Sequence, residues 1–283
     1  MNLNDTIRFA NKIRLHALDM TSEAGTSHIG SMLSIADIVA VLFNEIINIK
    51  FSKTGKKKEK QDYFILSKGH AGGIIYAALA EKGFFPVKKL KTYCKNGSTL
   101  SGHISHYKVP GVDFSSGSLG HGLSVSCGLA FVNKKKRVFN LMSDGELDEG
   151  SNWEAILFAS HHKLRNLVNI IDYNKIQSIK SVKQTLNLEP LKKKWQAFGW
   201  KVLEVDGHNH NRIFKVLKKT RSNQPLCVIC HTIKGKGVKF MEKNNLWHYR
   251  TARGIEYKIA RNQLEKNYER YFSKRTYKNF KKK

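Results

Sequence analysis

Short apolar runs alternate with helical segments along this chain of 283 residues. The segment 152–162 has the spacing of a helix and lies between two of these runs. Alternation of this kind is typical of parallel sheets that are covered on both faces. The sequence therefore predicts an α/β fold with a mostly parallel, doubly wound sheet and helices on both faces. The predicted strands are Tyr63–Ser67, Arg137–Met142, Leu167–Tyr173 and Leu226–His231.

The segments between the predicted strands differ in character. Apolar residues in the first 18 positions lie near helical spacing, which predicts an amphipathic N-terminal helix. Ser34–Ile47 is predicted to be an apolar helix, and residues 53–60 a solvated loop. Residues 97–122 are rich in glycine and are predicted to form a long loop, which in a compact domain is usually functional.

Length and composition indicate a folded chain. Hydrophobic residues make up 41% of the sequence and only 4 residues are proline, which is unlike a disordered protein. A chain of this length can bury a large core. We expect residues 1–257 to form one domain and residues 258–283 to form a basic C-terminal helix and tail.

Nothing in the sequence predicts a membrane protein. Apolar runs such as Leu226–Cys230 are much shorter than the roughly 20 residues that cross a bilayer. The N-terminus lacks the charged and then apolar pattern of a secretory signal. We therefore expect a cytoplasmic protein without a membrane partner.

The net charge of +28 is unusual, with 50 Lys and Arg against 22 Asp and Glu. Such an excess of positive charge is typical of proteins that bind nucleic acid. The basic residues are spread along the chain, with denser runs at 53–60, 134–137, 192–194 and 270–283, and no nucleic-acid-binding motif accompanies them. We interpret most of them as solvated surface and keep nucleic-acid binding as an alternative.

The four cysteines favour a structural role. Cys94 and Cys127 are isolated, whereas Cys227 and Cys230 have the Cys-x-x-Cys spacing of redox and zinc sites. The pair lies in a predicted strand, where positions three apart point to opposite faces. No second pair is present to complete a zinc site.

Polar segments follow three of the predicted strands. Open parallel sheets bind ligands at the carboxyl ends of their strands, where small residues let backbone N–H groups approach a phosphate. Asp144 and Asn174 supply the hard oxygen ligands that Mg²⁺ prefers. An Asp-Gly pair alone is only a turn signal, but the combination predicts a phosphate and magnesium site. The three segments are Ser67–His70, Ser143–Glu146 and Asp172–Ile176.

These segments resemble the transketolase family of thiamine-diphosphate enzymes. SDGELDEGSNWEA is followed by DYNKIQ, so that Asn174 lies 30 residues after Asp144, as in the cofactor fingerprint that begins Gly-Asp-Gly and ends in Asn. SHIGSMLS, LSKGHA, SGHISHYKVPGVDFSSGSLGHGL and TIKGKGVKFME occur in the family's order. The resemblance extends from about residue 5 to about residue 255. It implies the diphosphate-binding domain of the thiamine-diphosphate fold, with thiamine diphosphate and Mg²⁺ as cofactors.

The resemblance also implies roles for individual residues. The metal ligands would be Asp144, Asn174 and the backbone carbonyl of Ile176. The histidines that face the reactive carbon of the substrate would be His28, His103 and His248. Glu149 matches an acidic position near the family's subunit interface. The positions assigned to cofactor binding are His70, Gly117, Leu119, Asp144, Gly145, Glu149 and Asn174.

Two positions depart from the family pattern. Ser143 stands where the family usually has glycine, which would cost about 1–2 kcal/mol if the position required a positive φ. His121 stands where glutamine is common. We interpret His121 as structural, together with His106, His161 and His162.

The length of the chain is a larger departure. Transketolases carry a second domain that binds the aminopyrimidine ring and supplies a catalytic glutamate, and this sequence contains no such segment. The resemblance therefore implies an N-terminal subunit of a split transketolase, active only with a C-terminal partner chain, in a heterotetramer. It would transfer a two-carbon ketol unit between sugars or sugar phosphates, with the histidines donating hydrogen bonds to the developing alkoxide.

Three alternatives stay open at this point. The chain could be half of a 1-deoxyxylulose-phosphate-synthase-like enzyme or of a specialised sugar ketolase. It could be an inactive half that only binds a partner. It could also be a basic nucleic-acid-binding protein, whose affinity would fall steeply with salt.

Overall fold

Five parallel strands lie side by side at the centre of the part of the chain described here, in the order β1-β2-β3-β5-β4. The structure is a computed structural model that describes residues 1–50, 61–218 and 223–269. Every neighbouring pair in this sheet is parallel, so all five carboxyl ends lie along one edge. The strands are β1 (Tyr63–Leu66), β2 (Val138–Ser143), β3 (Leu167–Tyr173), β4 (Lys201–Asp206) and β5 (Leu226–His231).

Helices cover both faces of the sheet. The N-terminal helix ends at Gly25, whose φ of 68° is the left-handed conformation that glycine adopts easily. The helices of the described ranges are α1 (Leu3–Ala24), α2 (Ile29–Val41), α3 (Gly72–Glu81), α4 (Gly122–Val132), α5 (Gly150–His161), α6 (Val182–Thr185), α7 (Leu191–Ala197), α8 (His210–Lys218) and α9 (Gly254–Glu269).

Two separate hydrophobic clusters occupy the two faces of the sheet. Ile170 and Val228 pack in the cluster that contains residues of α1, α2 and α3. Ile171 and Ile229, one position further along, pack in the cluster with residues of α4, α5 and α7. Since successive strand residues point to opposite faces, both faces of β3 and β5 are buried. This arrangement confirms the doubly wound α/β fold that the sequence predicts.

Cys227 and Cys230 are fully buried in β5. Cys227 packs in the cluster on one face of the sheet and Cys230 in the cluster on the other. Both are free thiols. The side chains point away from each other, so the structural interpretation is confirmed and a shared redox or zinc site is excluded.

The strands predicted from the sequence are confirmed within one or two residues. β3 and β5 have the predicted bounds, and the helix predicted at 152–162 is α5. The helix predicted at Ser34–Ile47 begins earlier, at Ile29, and ends in a π-helical turn at Leu42–Ile46. β4 was not predicted, because this edge strand carries Lys201, Glu204 and Asp206 and lacks a continuous apolar run.

α2 and its π-helical extension are the most apolar helical stretch of the described chain. By length and composition alone, Ile29–Ile46 could cross a membrane. However, 83% of this stretch is buried inside the protein, because it packs against α1, α3 and α8. It is therefore a core helix of the domain.

α9 overlaps the segment 258–283 that is predicted as a basic helix and tail, but it begins earlier, at Gly254, and carries acidic as well as basic residues. It packs on α1 and buries Ala260, Leu264 and Tyr268. The loop predicted at 53–60 and the tail predicted at 270–283 lie outside the described residues.

Candidate active site

A cleft of about 230 Å³ lies at the carboxyl ends of β1, β2 and β3. The segments after these three strands all reach it, as the sequence predicts. The glycine-rich loop and the segment after β5 complete its walls. Its lining includes Lys68, His70, His103, Gly117, Leu119, Asp144, Gly145, Asn174, Ile176, Lys234 and His248.

Asp144, Asn174 and Ile176 lie together in the lining of this cleft. The Asp144 carboxylate accepts hydrogen bonds from the backbone N–H groups of Gly145 (2.8 Å) and Lys175 (2.6 Å). The Asn174 Oδ1 atom accepts one from the Ile176 N–H at 3.0 Å. Each of these oxygens keeps a second lone pair, so the three residues present a set of hard oxygen donors.

The electrostatics of the cleft favour a cation beside Asp144. Burial and the nearby Asp172 carboxylate raise the pKa of Asp144 to about 7. A divalent cation would stabilise the ionised carboxylate, and Mg²⁺ binds through few protein ligands together with substrate phosphates. In the described ranges no group of three or more His, Cys, Asp or Glu side chains could hold a metal ion. The donor set therefore fits Mg²⁺ only when phosphate oxygens complete the coordination.

Two buried lysines also reach the cleft, and the sequence reasoning missed both. Lys68 Nζ donates to Asp172 Oδ2 at 2.6 Å, and both side chains are almost completely buried. Lys234 Nζ donates to the carbonyl oxygens of Ile176 (3.1 Å) and Gln177 (3.0 Å). Both lysines lie in segments that carry the family resemblance, directly after a strand, and this position was the available signal.

Asp172 connects Lys68 to the proposed metal ligands. Its Oδ2 atom also accepts from Ser34 Oγ at 2.7 Å and from the Asn174 side-chain amide at 3.1 Å. The second contact orients the Asn174 amide, because it places the NH₂ group on Asp172 and turns Oδ1 away. Burial alone would raise the pKa of Asp172, but Lys68 and the hydrogen bonds from Ser34 and Thr232 hold the pKa below its ordinary value.

Four histidines lie close together in the cleft, with His28 adjacent to the other three. The His28 ring centroid lies 5.2 Å from that of His70, 5.7 Å from that of His103 and 5.1 Å from that of His248. The structure therefore brings together the three histidines predicted to be catalytic. His70 is adjacent to His248 as well, at 5.6 Å.

Two half-buried histidines of this group, His28 and His248, are held neutral. Burial, then the neighbouring His103 and lysines, lower the pKa of His28 to about 4. Burial and Lys234 lower the pKa of His248 to about 3. Lys234 Nζ lies 3.0 Å from His248 Nδ1, so the lysine donates to Nδ1 and the ring proton is on Nε2. His248 can thus donate a hydrogen bond from Nε2 to a ligand in the cleft.

Glu146, a further residue that the sequence reasoning missed, ties three loops together beneath the cleft. Its buried carboxylate accepts from the Ser67 hydroxyl, the Gly120 N–H (3.0 Å) and the Ser143 N–H (3.3 Å). Close packing supports the same region, since a Cβ on Gly69 would lie only 2.0 Å from the Ser116 carbonyl oxygen. The glycine-rich loop is therefore fixed against the ends of β1 and β2.

Some predicted positions lie elsewhere. Glu149 is exposed at the N-terminus of α5 and does not line the cleft. His121 is exposed, and its Nδ1 atom contacts the carbonyl oxygens of Ser118 and Leu119. Ser143 ends β2 without a positive φ, so the strain considered for this position is absent.

The sequence of this chain matches a known protein family. The family described as transketolase, thiamine diphosphate binding domain, matches residues 6–283. The chain belongs to the transketolase family. The binding of thiamine diphosphate by domains of this family is consistent with the cleft, whose lining contains both loop glycines and oxygen donors.

Two similar relatives have nearly the same length as this chain. One is the 6-deoxy-6-sulfo-D-fructose transketolase subunit SqwG of Clostridium sp. (strain MSTE9), which is 38% identical and aligns over 91% of this chain and 95% of the relative. The other is a subunit of the apulose-4-phosphate transketolase of Actinobacillus succinogenes, which is 39% identical over 89% of this chain and 92% of the relative.

The solved structures that resemble this transketolase domain belong to longer chains. The transketolase of Campylobacter jejuni superposes with a TM-score of 0.86 at 27% identity, covering 99% of this chain and 48% of the other. This chain thus spans about half the length of the solved transketolase that it matches.

Proposed function

We propose that this chain is the N-terminal, diphosphate-binding subunit of a split transketolase. It transfers a two-carbon ketol unit from a ketose to an aldose, and it is active only with a C-terminal partner chain that contains the pyrimidine-binding domain. The observation that carries the proposal is the cluster of histidines around His28, directly beside the oxygen donors Asp144, Asn174 and Ile176. The two subunit-length relatives support the split arrangement.

The residues of the cleft fit a magnesium diphosphate. Asp144, Asn174 and the Ile176 carbonyl would hold Mg²⁺, while His70, Gly145 and the two buried lysines would contact the diphosphate. Gly117 and Leu119 would line the side of the thiazolium ring. When bound, thiamine diphosphate supplies the carbanion chemistry of ketol transfer.

The histidines of this chain orient and stabilise the substrate. His28, His103 and His248 would donate hydrogen bonds to the substrate oxygens on which charge develops. The neutral rings of His28 and His248 suit this role, since a neutral imidazole keeps one N–H donor and can still accept a proton. Preorganised donors of this kind stabilise a transition state without reorganisation during the reaction.

The partner would cover an exposed apolar surface on α4 and α5. α4 and α5 pack together and leave Phe131, Val132, Leu157 and Phe158 exposed, and Glu149 is exposed at the N-terminus of α5. We assign this surface to the pyrimidine-binding chain in a cytoplasmic heterotetramer, with sugars or sugar phosphates as substrates. Since no described feature beyond net charge favours nucleic acid, we assign it no role.

The proposal is tested with the purified pair. This chain and its partner are co-expressed in a host that lacks transketolase, and two-carbon transfer is measured by product analysis with thiamine diphosphate and Mg²⁺ present. We expect transfer by the pair and none by either chain alone. A pair that assembles and binds the cofactor without transferring a ketol unit to any aldose would refute the proposal.

A further inference from the structure

Three backbone N–H groups of the segment that carries Lys234 donate hydrogen bonds to other parts of the fold. The N–H groups of Thr232, Ile233 and Gly235 donate to Tyr173 O (3.2 Å), His208 Nε2 (2.8 Å) and Gly30 O (2.9 Å). Two of these acceptors are backbone carbonyls. The His208 ring is the one side-chain acceptor among these three, so it is the one of the three that a substitution can remove. The Thr232 hydroxyl adds a separate side-chain contact, to Asp172 Oδ1.

His208 is itself fixed by a buried carboxylate. Its Nδ1 atom lies 2.7 Å from Asp37 Oδ2. Asp37 also receives two hydrogen bonds from Arg14 (2.9 and 2.6 Å) and lies 3.1 Å from His210 Nε2. Because the Ile233 N–H donates to Nε2, that nitrogen must carry a lone pair, and the ring proton must be on Nδ1 facing Asp37.

We propose that His208 is a positioning residue that places Lys234 in the cofactor cleft, an inference that rests on the proposed function. The chain of contacts runs from Asp37 through the His208 ring to the Ile233 N–H, one residue before Lys234. Lys234 Nζ then bonds the carbonyls of Ile176 and Gln177 and contacts His248. Asp37 and His208 do not line the cleft, so neither side chain would contact a bound cofactor directly.

The structure offers a matched control in His210. Its ring contacts the same carboxylate as His208, but its other nitrogen lies 2.9 Å from Thr6 Oγ1 and not on the Lys234 segment. Loss of either histidine removes one hydrogen bond from Asp37. Only loss of His208 releases the Ile233 N–H.

Two substitutions separate the functions of the His208 ring. In His208→Asn, the amide can reach Asp37 in place of Nδ1 but is too short to accept from Ile233. In His208→Gln, the amide reaches the position of Nε2, where its oxygen can accept from the Ile233 N–H. The Asn variant therefore removes the anchor, and the Gln variant restores it.

The test measures the affinity of the assembled pair for thiamine diphosphate with Mg²⁺ by calorimetry. We expect His208→Asn to weaken binding about tenfold, as outer-shell partners of ligating groups commonly do. His208→Gln should retain more of the affinity, and His210→Asn should bind as the wild type does. Equal affinities in the wild type and His208→Asn, or equal losses in His208→Asn and His210→Asn, would overturn the proposal. Failure of the wild-type pair to bind would instead contradict the proposed function.

A double-mutant cycle and a spectroscopic measurement complete the test. If His208 acts through Lys234, then His208→Asn should cause no further loss of affinity in a Lys234→Met pair, whereas additive losses would contradict this route. NMR of histidine nitrogens in the wild-type protein, assigned with His208→Gln, should show a neutral ring protonated on Nδ1. A ring protonated on Nε2 would refute the anchor even if the Asn variant failed to fold.

Discussion

The backbone N–H of His28 donates a hydrogen bond to the carbonyl oxygen of His248 at 2.9 Å. This bond joins the turn before α2 to a segment near the end of the described chain and brings the two rings within 5.1 Å. His28 has a φ of 76°, in the left-handed region, where a residue other than glycine stores about 1–3 kcal/mol of strain. The catalytic geometry proposed here thus depends on backbone contacts as well as on side chains.

The conformation of His28 leads to a prediction with two variants. Asn tolerates the left-handed region, whereas a β-branched residue does not. We expect His28→Asn and His28→Val both to lose ketol transfer. The Val variant should also be about 1–2 kcal/mol less stable than the Asn variant. Urea unfolding of both proteins measures this difference, and equal stabilities would show that residue 28 does not require a positive φ.

Asp144 is predicted to be essential for magnesium-dependent cofactor binding. Asp144→Ala removes the one charged ligand among the three proposed metal ligands, so calorimetry of the pair should show a severe loss of affinity for thiamine diphosphate with Mg²⁺. Asp5→Ala is the control, since Asp5 is exposed on α1 and does not line the cleft. Unchanged affinity in Asp144→Ala would place the metal elsewhere.

His103 and His70 are predicted to differ in phenotype. His103→Ala should lower kcat on the order of 10²–10³ with cofactor affinity nearly intact, because it removes a donor to the transition state. His70→Ala should raise the cofactor concentration needed for half-maximal rate. His106→Ala, which removes an exposed ring bonded to Ser115 at 2.6 Å, should do neither. Reversed phenotypes of His103 and His70 would contradict the assigned roles.

Much of this site was predictable from local sequence. Asp144 and Asn174 follow apolar strands at a fixed spacing, and neighbouring parallel strands necessarily bring such residues together. His28, His103 and His248 were assigned through family resemblance, and the structure gathers them. Their roles in substrate binding stay predictions.

The supporting residues were not predictable in the same way. Lys68, Asp172 and Glu146 depend on long-range contacts, among them ones that span 26, 104 and 138 positions of sequence. From the sequence alone, a charged residue that is buried by such contacts is not distinguishable from a charged residue on the surface. The same reason explains why His208 was not singled out, since its partner Asp37 lies 171 positions away.

Asp37 gives a prediction for the pH dependence of stability. Burial alone would raise its pKa, but Arg14 and the hydrogen bonds from His208 and His210 hold the pKa well below its ordinary value. The ionised carboxylate therefore stabilises the fold above about pH 4, the ordinary pKa of Asp, and this contribution is lost as the pH falls through the lower folded-state pKa.

We expect Asp37→Asn to lower the free energy of unfolding by about 3–5 kcal/mol at pH 7, because it leaves Arg14 buried without its counter-charge. The difference from the wild type should shrink below pH 4. Chemical denaturation at several pH values measures it, with Asp5→Ala as a surface control. A difference that stayed constant or grew in acid would contradict the assigned ion pair.

Reconstitution from separate chains tests whether ketol transfer requires both subunits of the proposed split transketolase. The partner chain is held at a fixed concentration with thiamine diphosphate, Mg²⁺, a ketose donor and an aldose acceptor, and this chain is titrated into the mixture. The rate of two-carbon transfer should be zero without this chain, rise in proportion to it, and reach a plateau at equal amounts of the two. Asp144→Ala should produce no rise. Transfer by either chain alone, or a rise of equal size with Asp144→Ala, would contradict the proposed split transketolase.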